Sequence, residues 1–157
     1  MDPIRTVESG AVLIIERGRL LLMKKAPGRL GEGKWKALSG KLLPCETPIE
    51  GAMRETFEES GIRVKQLEPR GKLCYFFEGR QEEWIVHLFA SRSFEGELRS
   101  SDEGFVRWFS LDELPYDEMW EDDRHWLPHV IEGKKVAGIF YFNADGSKLL
   151  DFSIKIE

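Results

Sequence analysis

Short unbroken apolar runs, separated by glycine, proline and charged clusters, set the rhythm of the chain. Runs of four to eight apolar residues bounded by turn signals read as strands rather than helices. Val7 to Glu16 and Arg19 to Lys25 form two such segments around a tight Arg17-Gly18 turn, and their AVLII and LLLM cores suit buried strands. Further strands are expected at Arg63–Leu67, Leu73–Phe77, Trp84–Ser91 and Phe105–Phe109, with residues 78–83 as a hairpin turn. Val136–Phe142 and Leu149–Ile156 read as a last hairpin around Asn143-Ala-Asp-Gly146. Ser110-Leu-Asp-Glu113 has the form of a capping box, opening a brief helix that Pro115 interrupts. Asp122 or Asp123 can cap a helix running to about Glu132 and closed by Gly133. Ala26 to Lys36 is a Gly- and Lys-rich loop, equally a phosphate contact or a bare connection. No repeat or linker divides residues 1–157, so one α+β domain with mixed sheets is expected.

The period changes in residues 40–62, GKLLPCETPIEGAMRETFEESGI. Thr47 is an N-cap, Pro48 suits the first helical position and Glu50 completes a capping box. Gly61 stops the helix. At about 100° per residue, Ile49, Ala52, Met53, Thr56 and Phe57 gather on one side and Glu55, Glu58 and Glu59 on the other. The apolar side can dock on a sheet while the three carboxylates point together into a cleft. Like charges at this spacing cost a few tenths of a kcal/mol per pair, roughly, a conflict that Mg²⁺ or Mn²⁺ removes by accepting hard oxygen ligands. Taken alone, E-x-x-E-E is more often a solvated acidic face.

Composition narrows the classes. The 41% hydrophobic share fits an ordinary globule, and a net charge of −5 argues against a nucleic-acid polymer as partner. A phosphorylated small molecule remains compatible, because a bound metal supplies positive charge locally. Cys45 and Cys74 are too few for a disulfide framework. With no signal peptide and no apolar run near about 18 residues, the expected location is cytoplasmic with no membrane partner. A monomer is expected, with a dimer left open.

Segment 40–62 resembles the Nudix box, G-x5-E-x7-R-E-U-x-E-E-x-G-U with U a bulky aliphatic residue. Gly40, Glu46, Arg54, Glu55, Glu58, Glu59, Gly61 and Ile62 fall on their places, and only Thr56 departs, at an aliphatic position. The resemblance implies a Nudix α/β/α sandwich and a metal-dependent hydrolase of a diphosphate linkage. It implies a metal site of Gly40, Glu55, Glu58, Glu59 and Glu103, with Mg²⁺ expected and Mn²⁺ as the alternative. Arg54 would hold the glutamates, and Glu58, Glu59 and Glu103 are all candidates for the general base.

The likeness runs on into Met119-Trp-Glu-Asp-Asp-Arg-His-Trp-Leu-Pro128 and Leu149-Leu-Asp-Phe-Ser153, and is similar there to the oxidised purine nucleoside triphosphatase branch. Read without it, Trp120 is core or a contact, and one of the acidic pair is a helix cap. With it, Trp120 is an aromatic wall for a purine, Trp126 part of that wall or its backing, and Asp122 and Asp123 reach the base edge. Two neighbouring carboxyls sharing a proton can present donor and acceptor together. Lys24, Lys36 and Lys41 complete the expected substrate contacts. Lys36 stands where these relatives carry an asparagine, and Leu30 where they carry an aromatic residue. The implied products are a nucleoside monophosphate and pyrophosphate. The alternatives are a Nudix hydrolase of another nucleotide, such as an undamaged triphosphate, ADP-ribose or a dinucleoside polyphosphate, or a nucleotide- or RNA-binding module. His87 and His125 are read as structural.

Overall fold

Unbroken apolar strands need a partner on each face, and the first hairpin has one. The computed structural model describes residues 3–28, 31–102 and 104–157. Strand β1 (Arg5–Glu16) returns as β2 (Arg19–Lys25) through Arg17 and Gly18, both at positive φ, 51° and 74°. Successive side chains of a strand point to opposite faces. Ala11, Leu13, Ile15, Leu20 and Leu22 enter one core, while Val12, Ile14, Leu21 and Met23 enter another.

Short strands β3 (Trp35–Lys36) and β4 (Leu38–Lys41) lead into helix α1 (Pro48–Ser60). The chain continues through β5 (Arg63–Val64), β6 (Glu68–Phe77), β7 (Glu82–Ser91), β8 (Phe94–Glu95) and β9 (Gly104–Ser110). Helix α2 (Asp123–Ile131) and the hairpin β10 (Val136–Phe142) and β11 (Leu149–Ile156) close it. The main sheet runs β11-β10-β6-β7-β1-β2-β3, with β4 on β1 and β9 on β2, while β5 and β8 pair separately. β1 is parallel to β7 and antiparallel to β4 and β2, so the sheet is mixed. Ala52 of α1 belongs to the core of Val12 and Ile14, and Trp126, Leu127 and Val130 of α2 to that of Leu13 and Phe140. The result is the expected α+β architecture, with a helix on each side of a mixed sheet. Among the described residues no helix is long and apolar enough to cross a membrane.

The ends of α1 follow the sequence. Thr47 Oγ1 accepts from Glu50 N at 3.2 Å, Glu50 Oε1 accepts from Thr47 N at 3.0 Å, and Gly61 closes the helix at φ 79°. Its buried face follows only at Ala52 and Thr56. Ile49 and Met53 are 45% and 38% exposed, and the stripe against the sheet is Gly51, Ala52, Thr56, Glu59 and Ser60. Close approach, rather than hydrophobicity, chooses this face. A Cβ on Gly10 of β1 would lie 2.8 Å from Pro48 O and 3.0 Å from the Ala52 Cβ.

Three other expectations change. Ser110–Glu113 is a turn, closed by Glu113 N–H donating to Ser110 O at 3.0 Å, and no helix follows until a 3-10 turn at Tyr116–Glu118. Pro115 lacks an N–H and keeps its predecessor out of helical geometry. β6 begins at Glu68, in a polar stretch without alternation, and β5 stops at Val64. Asp122 occupies the cap position of α2, yet its side chain makes no capping bond.

Gly10→Ala tests the helix–sheet approach. Overpacking there is expected to cost about 1–3 kcal/mol, outweighing the gain of up to about 1 kcal/mol from removing a strand glycine. Urea denaturation measures it, and an unchanged or raised midpoint contradicts the packing.

Candidate active site

Glu55, Glu58 and Glu59 leave one side of α1 for three different environments. Glu59 is fully buried and accepts the Ser39 N–H at 3.0 Å. Glu55 lies across the bare backbone of Gly40, where any Cβ would run into its carboxyl group. Glu58 has a half-exposed side chain. Arg54 joins two of them to the preceding loop. Its Nη1 donates to Glu55 Oε1 at 2.7 Å and Glu58 Oε2 at 3.1 Å. Its Nε donates to Glu46 Oε2 at 2.8 Å, and Nη2 to Glu46 Oε1 and Lys41 O, each at 3.0 Å. The fork of a guanidinium suits this bidentate grip on a carboxylate. The bonds from Arg54, with one from Leu43 N, hold the Glu46 pKa down at about 2.

On the opposite face of the sheet lies a cavity of about 650 Å³. Leu73, Tyr75 and Phe77 of β6 and Trp84, Val86 and Leu88 of β7 line it, with Ser9 and Ala11 of β1. Trp120, Asp122, Asp123 and Trp126 form a second wall, and Lys25, Lys36, Ser39, Gly40, Lys41 and Glu55 complete the enclosure. Trp120 meets Phe77 and Phe142 edge-on at 6.3 and 5.5 Å, and Lys34 Nζ lies 5.9 Å from its ring. Gly31 and Gly146 press bare backbone against the same indole. Trp126 is buried and stands behind Asp122 as backing, donating its Nε1–H to Asp122 Oδ2 at 2.9 Å.

The acidic pair is deeply buried. Asp122 Oδ2 also accepts the Tyr75 hydroxyl at 2.6 Å. Burial pushes the Asp122 pKa up to about 6, against the lowering effect of the Tyr75 and Trp126 bonds. Burial raises Asp123 as well, followed by the charge of Asp122, while the Lys36 ammonium opposes the rise. Tyr75 is raised for the same two reasons, burial first and Asp122 next. Carboxyls so placed can hold a proton near neutral pH and offer both a donor and acceptors.

Lys36, Lys41, Gly40, Glu55, Trp120, Asp122, Asp123 and Trp126 thus line one space, while Glu58 and Glu59 are not part of its lining. Lys24 lies over the Trp35 ring at 5.8 Å, and Lys25 takes a place in the cavity wall instead. Among the described residues no three acidic, histidine or cysteine side chains converge at metal-ligand spacing. Glu103 and Leu30 lie outside the described residues. Tyr75, Phe77 and Trp84 were not foreseen. Their period-two spacing was visible, but not which face of the sheet would stay open. His87 bonds Glu8 at 3.0 Å and His125 stacks on Phe152 at 4.2 Å.

The pattern of the NUDIX domain matches residues 5–130, spanning the carboxylate cluster and the acidic pair. The chain belongs to the Nudix hydrolase family. It is 40% identical over 131 residues to the oxidized purine nucleoside triphosphate hydrolase of Danio rerio, covering 83% of each chain. To the protein of the same name from Mus musculus it is 36% identical over 144 residues, covering 92% of this chain and 91% of that one. Its fold is similar to the crystal structure of the MutT protein from Bacillus halodurans, with a TM-score of 0.86 and 28% identity. That match covers 95% of this chain and 97% of the other.

Folding raises the Asp122 pKa from the ordinary carboxylate value to about 6, so the folded state holds this proton more tightly. The stability it contributes is complete below the ordinary value and is lost as pH rises through about 6. Asp122→Asn keeps an acceptor for Tyr75 and Trp126 but cannot ionise. Between about pH 4 and about pH 8 it should gain about 1–3 kcal/mol relative to wild type. Urea midpoints at the two pH values measure this, and an equal difference at both contradicts the assignment.

Proposed function

We propose that this Nudix hydrolase cleaves purine nucleoside triphosphates, oxidised ones by preference, to a nucleoside monophosphate and pyrophosphate. The observation that carries the reading is a shared enclosure: Glu55 and Gly40 line the same cavity as Trp120, Asp122 and Asp123. A base against the indole therefore leaves its phosphates within reach of the carboxylates of α1. The names of the Danio rerio and Mus musculus relatives support the substrate class.

The donor chemistry of the carboxylate site suits a hard divalent cation, although Glu55, Glu58 and Glu59 do not converge at ligand spacing among the described residues. Glu55, Glu58 and Glu59 supply oxygen donors, and the missing side chain at Gly40 leaves room for the Glu55 carboxyl group. Glu55, Glu58, Glu59 and the Gly40 carbonyl, with Glu103, would hold Mg²⁺. When bound, the ion supplies positive charge to phosphate oxygens and lowers the pKa of an attacking water. Arg54 positions Glu55 and Glu58. Glu58, Glu59 or Glu103 would serve as the general base. Ser39 fixes the Glu59 carboxylate by its N–H, and Lys25 and Lys41 add positive charge along the phosphate path. At the other end Trp120 stacks on the base, and the acidic pair reads its edge.

The test is a product-resolved hydrolysis panel with Mg²⁺, comparing oxidised and ordinary purine triphosphates, ADP-ribose and a dinucleoside polyphosphate. Highest kcat/KM on an oxidised purine, with pyrophosphate released, is expected. Glu59→Gln should stay folded and lose about 10²–10⁴-fold in turnover. A preference for ADP-ribose or the dinucleotide, or near-normal turnover in Glu59→Gln, contradicts the reading.

A further inference from the structure

β11 closes one end of the main sheet, and among the described residues no strand pairs with its outer edge. Its ladder to β10 fixes which backbone groups face outward. Lys135 N–H donates to Glu157 O at 3.3 Å, and Glu157 N–H donates back to Lys135 O at 2.9 Å. Bonded and non-bonded pairs alternate along an antiparallel ladder. With Lys155 opposite Ala137, Ser153 opposite Ile139 and Asp151 opposite Tyr141, the odd-numbered residues of β11 bond to β10. Phe152, Ile154 and Ile156 therefore aim their N–H and C=O groups away from the sheet. The Phe152 N–H accordingly donates to its own neighbour, Asp151 Oδ1, at 2.9 Å. Leu150, Phe152 and Ile156 are 49%, 41% and 42% exposed. An exposed apolar edge with no proline is a template for another strand.

We propose that β11 is a homodimer interface, pairing antiparallel with β11 of a second copy about a twofold axis at Ser153. A twofold interface brings one surface against itself, so that surface must be self-complementary. Centred on Ser153, the register sets Phe152 opposite Ile154 and Ile154 opposite Phe152. Both residues present outward backbone groups, so each pair exchanges its N–H and C=O bonds. Leu150 and Ile156 fall opposite each other in the same register, apolar against apolar. Asp151 falls opposite Lys155 at both ends, at non-hydrogen-bonded positions where facing side chains come closest. The adjacent registers that keep the outward groups paired lose this match. Centring on Phe152 sets Asp151 against Ser153, and centring on Ile154 sets it against Glu157. A lysine on an edge strand discourages pairing in general; here it meets the carboxylate of a second copy. Phe152 stacks on His125 of α2 at 4.2 Å, which holds this part of the edge in place.

The experiment is sedimentation equilibrium of the full chain, without nucleotide, from low to high micromolar concentration. It compares wild type, Asp151→Lys, Lys155→Asp and an equimolar mixture of these two variants, with thermal melting to confirm that each is folded. Wild type should form a concentration-dependent dimer. Each single variant sets like charges opposite each other at both ends and should weaken self-association by at least about fivefold. In the mixture, one copy of each variant restores unlike charges at both ends, and association should return to within about threefold of wild type. The double variant Asp151→Lys/Lys155→Asp, which exchanges the charges within one chain, should dimerise as well. A wild type that stays monomeric throughout overturns the proposal. So does an association indifferent to the single substitutions, or a mixture that fails to recover it.

Discussion

One guanidinium organises the acidic side of this protein. Arg54 grips Glu46 with two bonds, reaches Glu55 and Glu58 with a third nitrogen and ties itself to the Lys41 carbonyl. Without it, carboxylates crowded on two turns of one helix repel one another. With it, they are held at the surface of α1 in fixed directions. A lysine could not replace it, because a point charge lacks the planar fork. The arrangement also needs two places without side chains: Gly40 under Glu55, and Gly51, where a Cβ would meet Leu42 and Glu46.

The sheet separates two chemistries, and residues 36–41 join them. α1 lies against one face and brings its carboxylates to the sheet edge at β4. The aromatic cavity and the acidic pair lie on the other face, under the chain that enters α2. Ser39 bridges the two, donating its N–H to Glu59 and accepting Lys36 Nζ at its hydroxyl. Lys36 in turn acts on Asp123. Two short strands, β3 and β4, thus set both the direction of a buried carboxylate and the polarity of the cavity.

Much of this was legible in the chain. The apolar runs at 11–15 and 20–23 announced buried strands, and the capping box and Gly61 marked the limits of α1, because these signals are local. The buried face of α1 was legible only at Ala52 and Thr56. Ile49 and Met53 look like core residues until Gly10 is known to bring the strand within reach of Ala52. The Ser110 motif failed because Pro115 overrides a favourable cap. At the site, the glutamates were marked by the full Nudix-box pattern, and the acidic pair only by its resemblance to the family. Tyr75, Phe77 and Trp84 were not, since alternation identifies a face but not what covers it. The role of Asp122 likewise depends on Tyr75, 47 residues away in sequence.

The central claim is that one cleft holds the base at the acidic pair and the phosphates at the α1 carboxylates. The most direct measurement is a two-dimensional NMR titration of the labelled protein, first with a purine nucleoside monophosphate and then with Mn²⁺. The account predicts nucleotide-induced shifts at the Trp120 and Trp126 indoles and the Asp122 and Asp123 amides. It predicts paramagnetic broadening at Ser39, Gly40, Glu55 and Glu59 in the same complex. Nucleotide shifts confined to another surface, or broadening centred away from α1 and β4, would contradict it.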